Sequence, residues 1–439
     1  MGLKNRILTL FMIVYFCGNA QDTQGNEAYK KRVLESTEID FLFGYYTQEG
    51  NNAAVTGGIG TEELTDASPN VVVAIPLNDD DVLTIDGSIS AYTSASSSNV
   101  GPFDGAAPAD PFVASSGASS RDQLLTAVVT YAHSSEDRNN TWSAKFSVAK
   151  EHDYFSLGFG GSYAHLFNEK NTEISVSANV YLDTWEAFYP TELRSFSPGG
   201  LGLQNVIFVQ NTITGNPNYN PDFTPFDNEN RNSFALGLGF SQILSKRVQG
   251  SLALDIVSQN GLLSTPFQRV YFSDIADSFI DNFQLADDVE QLPNTRFKVA
   301  LGGRLNYYVN DILSLRSYYR VYWDDWGILS HTASLEVPVK LSDKFTIYPS
   351  YRFYQQDQAN FFAPFEAHRS TDEFYTSDYD LSEYRANQFG FGIRYTDIFT
   401  KLHIWKYGLK SIDIQVQQYK RNTGLKATNI ATGINFVLD

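Results

Sequence analysis

Arg296-Phe297-Lys298-Val299-Ala300-Leu301-Gly302-Gly303-Arg304-Leu305-Asn306-Tyr307-Tyr308-Val309 changes character at every step. One register carries Phe297, Val299, Leu301, Gly303, Leu305, Tyr307 and Val309; the other carries Arg296, Lys298, Ala300, Gly302, Arg304, Asn306 and Tyr308. Successive side chains of an extended strand point to opposite faces, so this segment has one apolar face and one polar, cationic face. The split recurs along the chain. Phe234, Leu236, Leu238 and Phe240 alternate with Ser233, Ala235, Gly237, Gly239 and Ser241. Ile174, Val176, Ala178, Val180 and Leu182 alternate with Glu173, Ser175, Ser177, Asn179, Tyr181 and Asp183. Phe389, Phe391 and Ile393 alternate with Gln388, Gly390, Gly392 and Arg394, and Ile412, Ile414 and Val416 with Ser411, Asp413, Gln415 and Gln417.

Candidate strands lie near 36–47, 70–76, 81–94, 122–135, 140–150, 153–166, 171–185, 232–244, 247–259, 295–309, 312–324, 328–340, 343–355, 386–398, 408–420 and 427–438. The stretch 70–76 is short, and Leu124, Leu125, Val128 and Val129 blur the alternation in 122–135. Brief Asn-, Asp- and Lys-rich turns, as at Asn78-Asp79-Asp80 and Asn168-Glu169-Lys170, alternate with longer polar segments near 47–69, 95–121, 186–231, 259–294 and 356–386. Short turns on one side and long loops on the other are the plan of an outer-membrane barrel, the turns being periplasmic. The reading is an all-β fold: a transmembrane antiparallel up-and-down β-barrel of about sixteen strands (roughly 14–18), with both termini on the periplasmic side. A secreted sandwich would also alternate, but many of these strands are longer than a typical soluble strand. Aromatics gather near strand ends, at Phe43/Tyr45/Tyr46, Trp185/Phe188/Tyr189, Tyr319/Tyr322/Trp323/Trp326 and Phe361/Phe362/Phe365, where interfacial girdles are expected.

Composition agrees. The 439 residues are 14% aromatic and 19% charged, with 26 Tyr and 32 Phe, unlike a disordered chain or a coiled coil. The formal charge of −18 argues against nucleic acid as a partner. Lys4 and Arg6 followed by the apolar Ile7–Cys17 and the small Gly18-Asn19-Ala20 read as a secretory signal peptide over 1–20. Phe16 stands where a lipoprotein site wants a small residue, so lipid on Cys17 is disfavoured. Residues 21–35 are then a periplasmic N-terminal segment and 36–439 the barrel. With the only Cys removed, thiol catalysis and cysteine-ligated metals drop out. The expected place is the bacterial outer membrane after export, with outer-membrane lipid as a partner.

Several blocks resemble a known family. Ala53-Ala54-Val55-Thr56-Gly57-Gly58-Ile59-Gly60-Thr61-Glu62-Glu63-Leu64-Thr65-Asp66 is one; Pro76-Leu77-Asn78-Asp79-Asp80-Asp81-Val82-Leu83-Thr84, running on to Ala91-Tyr92-Thr93-Ser94-Ala95-Ser96-Ser97-Ser98-Asn99, is another. Asp110-Pro111-Phe112 with Ala114–Ser120, and Val180-Tyr181-Leu182-Asp183-Thr184-Trp185, complete the set. The chain resembles the Bacteroidota outer-membrane proteins catalogued as domain of unknown function 3570, across essentially the whole mature length. The resemblance implies a bacterial outer-membrane barrel, no assigned activity, and gene neighbours for flavin attachment and thioredoxin-like domains.

With the apolar register outward, the polar register lines the lumen. Arg296, Lys298, Arg304, Arg316, Arg320, Arg352 and Arg394 form a basic wall. Asp40, Asp86, Glu173, Asp183, Asp255 and Asp413 supply acidic positions elsewhere, and Glu336 lies among the arginines. One reading is a pore with a transverse field selecting small polar or charged solutes. The other is a lumen filled by Arg–carboxylate pairs that block passage.

The loop acids Asp274, Asp277, Asp281, Asp287, Asp288 and Glu290, and Asp372, Glu373, Asp378, Asp380 and Glu383, read as solvated carboxylates. Ile275, Phe279, Ile280 and Phe283 sit near helical spacing, so Ser273–Leu292 is expected to hold a short amphipathic helix. Asp378, Asp380 and Glu383 weakly resemble a calcium-ligating array but lack the sharp-turn glycine; no other cofactor is indicated. Asp79-Asp80-Asp81 reads as a turn whose Asp side chains bond their own backbone. The six histidines, His133, His152, His165, His331, His368 and His403, make no H-E-x-x-H motif, and no catalytic residues are assigned. The expected work is passage or binding of a small polar solute. The alternative is a plugged barrel acting as a structural or assembly partner of envelope proteins, and an outer-membrane enzyme comes third.

Overall fold

In a computed structural model, residues 32–93, 122–186, 189–209, 213–221, 223, 228–280 and 283–438 are described; the expected signal peptide, most of the expected 21–35 segment and the Asp110–Ser120 block lie outside them. The alternating segments form one closed antiparallel barrel. Its strands are β1 (Glu38–Glu49), β2 (Leu64–Pro76), β3 (Asp81–Thr93), β4 (Asp122–Ser134), β5 (Asn140–Lys150), β6 (Tyr154–Phe167), β7 (Thr172–Glu186) and β8 (Asn228–Ser245). They continue as β9 (Val248–Gly261), β10 (Thr295–Tyr308), β11 (Ser314–Asp324), β12 (Leu329–Glu336), β13 (Phe345–Gln356), β14 (Tyr384–Thr396), β15 (Tyr407–Arg421) and β16 (Lys426–Leu438). Val339–Lys340 continues β12 beyond Val337-Pro338, and His403–Ile404 extends the β14–β15 hairpin, so the eighteen ladder segments are sixteen strands. Each strand pairs with its neighbour in sequence, and β1 closes the ring on β16 from Glu38↔Val437 to Glu49↔Lys426.

Closure leaves no unpaired edge, which is what lets strands cross a bilayer. The outward register is apolar, as at Phe41 and Phe43 on β1, Phe146 on β5, Phe159 on β6, Leu238 on β8, Leu301 on β10 and Phe391 on β14. In an ordinary soluble protein such a continuous exposed apolar band would be an aggregation surface; here it is the lipid-facing one. β2 begins at Leu64, earlier than the expected 70–76, because Asp66, Ser68 and Asn70 are inward residues: Asp66 accepts from Ser90 at 2.6 Å and Asp86 from Asn70 at 2.8 Å. β4 holds its pairing despite its blurred pattern.

Two aromatic expectations are corrected by the same alternation. Tyr46 and Tyr322 fall in the inward register: Tyr46 donates to Gln48 and Tyr322 to Asp324. Tyr189 and Trp326 are core residues of the loops, with Phe365 and Phe361 packed against their clusters, and not girdle residues, whereas Phe43, Tyr45, Tyr319 and Trp323 do face outward. At the turn after β2, Asn78 Oδ1 takes the N–H groups of Asp80 and Asp81. The turn-forming side chain is therefore Asn78; Asp80 instead pairs with Arg138, and Asp81 with His133 at 2.6 Å.

Candidate functional site

The long loops at one end pack on each other. Tyr189, Leu193, Tyr271, Ala286 and Val289 form one buried cluster, Phe208, Tyr219, Ile280 and Leu285 a second, and Leu263, Leu292 and Trp326 a third. The described residues of Ser273–Leu292 form no helix, contrary to expectation. Ser278–Ile280 pairs with Ile213–Gly215 and with Phe283–Gln284, and Asp288–Val289 pairs with Arg269–Val270. Ile280 is held in a ladder and buried in the second cluster, where a free amphipathic helix would have left one side wet. The segment is part of a cap.

At the heart of the cap Arg269 and Glu192, both fully buried, form a bidentate pair: Nε donates to Oε1 at 2.6 Å and Nη2 to Oε2 at 3.1 Å. Nη1 donates to the Val55 carbonyl at 3.0 Å. One guanidinium thus ties together the loops after β1, β7 and β9. The approach of the first loop depends on two glycines. Gly57 and Gly58 have φ of +78° and +88°, and a Cβ would stand 2.7 Å from the Tyr271 ring at Gly57 and 2.7 Å from the Ser377 carbonyl at Gly58.

Acids expected to be solvated are drawn into the cap, Glu290 buried and Asp287 and Asp378 half-buried. Glu290 accepts from the Thr265 N–H at 2.6 Å and from the Thr376 hydroxyl, and burial, then the neighbouring Asp378 charge, pushes its carboxyl up to about 8. Burial, then Asp380, pushes Asp378 up to about 6. Asp287 is likewise raised to about 6 by burial, against the N–H of Phe272 that stabilises its anion. Asp380 is engaged by Arg421 at 2.8 Å, and Asp378 caps the Tyr379–Leu381 turn by accepting from the Asp380 N–H. Glu383 is exposed. The weak calcium candidates therefore do not converge, and no group of three or more potential metal ligands occurs among the described residues.

The basic residues line the interior wall of β10–β14, and the structure divides them. Arg296 pairs with Asp324, Arg316 with Glu336 at 2.9 Å and Arg394 with Asp413 at 2.8 Å. Tyr348 also donates to Asp413 at 2.6 Å, lying across Gly392, where a Cβ would be 2.1 Å from its ring. Lys298, Arg304, Arg320 and Arg352 form no ion pair among the described residues; Arg304 lies over the Tyr318 ring at 5.4 Å and Arg320 near the Tyr322 ring at 6.0 Å. Of these acids, Glu336 and Asp413 alone meet arginines among the described residues. Asp40 accepts from Asn435 at 2.7 Å and Asp86 from Asn70, and Glu173, Asp183 and Asp255 have no cationic partner among the described residues. In a closed ring of sixteen, β3 with Asp86 stands eight strands from β11 with Arg320. The two are on opposite walls.

Beneath the cap the lumen contains a cavity of about 680 Å³. Tyr46, Tyr354, Tyr384 and Tyr419, Gln388 and Gln417, and Arg352 line it from the strands, with Phe267, Asp378 and Asp380 from the loops. Arg421 stacks at 4.0 Å on Tyr384 while paired to Asp380. Such a lining offers aromatic faces, amides of both polarities and one uncommitted guanidinium. Of the histidines, His133 bonds Asp81, His165 bonds Asn140, His331 bonds Tyr319 and His368 bonds the Thr376 carbonyl, so none of these four stands on a serine. Arg269 and Glu192 were beyond a reading of alternation; the nearest signal was the Ala53–Gly60 block, whose Val55 and glycines meet the cap core.

The family model described as "Protein of unknown function (DUF3570)" matches residues 19–437, and the chain belongs to that family. No curated protein matches it. Among solved structures it is similar to a bacterial polysaccharide outer membrane secretin (10% identity, 91% of this chain and 98% of that one, TM-score 0.45). It is also similar to the Pseudomonas putida toluene transporter TodX (9% identity, 92% and 90%, TM-score 0.38) and to Pseudomonas aeruginosa OccK1 (6% identity, 92% and 98%, TM-score 0.38). These likenesses say nothing of a solute for this chain.

Proposed function

Taking family membership as the premise, we propose that this barrel binds and passes a small polar solute across the outer membrane through a lumen covered by its loop cap. The observation that carries the reading is the unpaired charge. Lys298, Arg304, Arg320 and Arg352 on β10–β13 form no ion pair among the described residues, while Asp40 and Asp86 face the lumen from β1 and β3. A lumen built only as a filled core would pair such charges, because an unpaired ion in a dry interior is costly. In water they create a transverse field, and a dipolar solute is oriented by it. The cavity beneath the cap is large enough for one small ligand, with tyrosines and glutamines to hold its polar groups.

Single-channel recording in planar bilayers tests this. The barrel is expected to conduct, and replacing Arg304, Arg320 and Arg352 together by Gln should move the reversal potential in a salt gradient toward cation preference. A closed membrane at all voltages would overturn the reading. The packed cap with its buried Arg269–Glu192 pair favours a second one in that event, a capped barrel serving as a structural or assembly partner of envelope proteins. Stoichiometric co-purification in mild detergent would support it.

A further inference from the structure

On the turn side, with Val339–Lys340 counted in β12, six connections run two to five residues, but the seventh, residues 397–406 between β14 and β15, runs ten with its short ladder pair His403–Ile404 included. Its sequence is Asp397-Ile398-Phe399-Thr400-Lys401-Leu402-His403-Ile404-Trp405-Lys406. Ile398, Phe399, Leu402, Ile404 and Trp405 are 81%, 79%, 57%, 61% and 93% exposed, with Trp405 at the tip in a left-handed conformation. The base of the hairpin is fixed. Buried Asp397 pairs with Lys344 at 3.0 Å and its N–H donates to the Lys410 carbonyl, and Thr400 packs under Gly408.

Register says which way the apolar side chains point. Ile404 opposes Tyr407, and the Leu409 N–H donates to the Leu402 carbonyl at 2.7 Å. Tyr407 and Leu409 in turn oppose Leu438 and Phe436, and Phe436 packs edge-to-face on the lipid-facing Phe41. Leu402 and Ile404 therefore continue the outer apolar face of the barrel beyond its rim. Charge points the same way. Lys401, His403 and Lys406 are basic and no acid lies between Ile398 and Tyr407, in a chain whose formal charge is −18. Exposed aromatic and branched residues interleaved with lysines suit a headgroup boundary, where apolar bodies enter the acyl region and ammonium groups stay with phosphates.

We propose that this hairpin is an interfacial anchor: Ile398, Phe399, Leu402, Ile404 and Trp405 insert at the headgroup–acyl boundary of the periplasmic leaflet, with Lys401 and Lys406 on anionic phospholipid phosphates. It gives the barrel an asymmetric foot on the membrane, on the side of β14 and β15.

Site-specific quenching tests it. Because Cys17 is the only cysteine, Cys17→Ser gives a background for single labels in the full chain. Trp405→Cys and, separately, Leu402→Cys would carry an environment-sensitive fluorophore, with Ser342→Cys on the neighbouring turn as reference. In phosphatidylethanolamine–phosphatidylglycerol vesicles both hairpin labels should be blue-shifted, quenched by a shallow nitroxide lipid and shielded from iodide. The Ser342 label should show the reverse. Lys401→Glu with Lys406→Glu should reduce nitroxide quenching at position 402. Iodide access equal to the Ser342 reference at both positions would overturn the proposal. So would labels that are shielded in native envelopes and open in vesicles, an outcome that would indicate a periplasmic protein on the hairpin instead.

Discussion

Glu192→Gln is the most informative single change to the cap. It keeps size and shape but removes the charge facing Arg269, leaving a fully buried guanidinium whose two contacts at 2.6 and 3.1 Å lose their ionic partner. At an effective dielectric near 20 the attraction of such a pair is roughly 4 kcal/mol. Breaking a buried pair by removing one partner typically costs about 3–5 kcal/mol, because the surviving ion stays desolvated. If that loss falls on opening of the cap, the open population rises roughly 10²–10⁴-fold, at about 1.4 kcal/mol per factor of ten. Cleavage of loop sites by a low concentration of protease reports that population when opening is fast relative to cutting. The variant should be nicked in the 189–223 and 262–294 segments at least 100-fold faster (an order-of-magnitude figure from the same energy), with the barrel still folded in a heat-modifiability gel. Arg269→Met should behave alike. The double variant Glu192→Leu with Arg269→Met should recover most of the protection, since an apolar pair of similar volume is often neutral or stabilising. Singles as resistant as the parent, or a double variant as labile as the worse single, would refute the reasoning. The second result would assign the loss to packing and not to an uncompensated charge.

Other outcomes follow from the same geometry. Glu290 has its pKa raised from an ordinary value of 4.5 to about 8 in the folded cap, so stability is fullest below about 4.5 and is lost as pH rises through about 8. Loop proteolysis should therefore accelerate over that window, and Glu290→Gln, which keeps an acceptor for Thr265 and can donate to Thr376, should flatten the profile. Asp40→Asn with Asp86→Asn should move the reversal potential toward anion preference, opposite in sign to loss of the arginines, as read in a salt gradient. Gly392→Ala should cost about 1–3 kcal/mol by overpacking against Tyr348, lowering the heat-modifiability midpoint, whereas Gly87→Ala, with open space at its Cβ, should leave it unchanged.

How much of this was legible beforehand differs from element to element. The register of Arg296–Val309 specified β10 residue by residue, because alternation is local and a one-residue slip would turn every charge to lipid. Asp66 and Ser68 show the limit. They fall in the polar run expected as loop up to residue 69, and only pairing with β1 reveals them as inward residues of β2. The loop acids failed for a related reason. Nothing near Glu290 or Asp378 in the chain signals burial, since what buries each comes largely from other loops. Trp326 likewise read as girdle by its neighbours Tyr319 and Trp323, yet its indole N–H reaches the Thr295 carbonyl at 3.0 Å inside the cap.

By itself, then, the sequence determined a barrel of about sixteen strands (roughly 14–18) and, within its regular strands, the alternation between a lipid-facing and a lumen-facing register. Those properties follow from a period-two pattern and from the need to satisfy every backbone group inside a bilayer. Only the tertiary structure decided which charges cancel. Arg316 and Glu336, twenty positions apart, or Arg269 and Glu192, seventy-seven apart, become partners through strand pairing and loop packing that no local pattern encodes. What remains unpaired after that cancellation is the chemistry of the lumen.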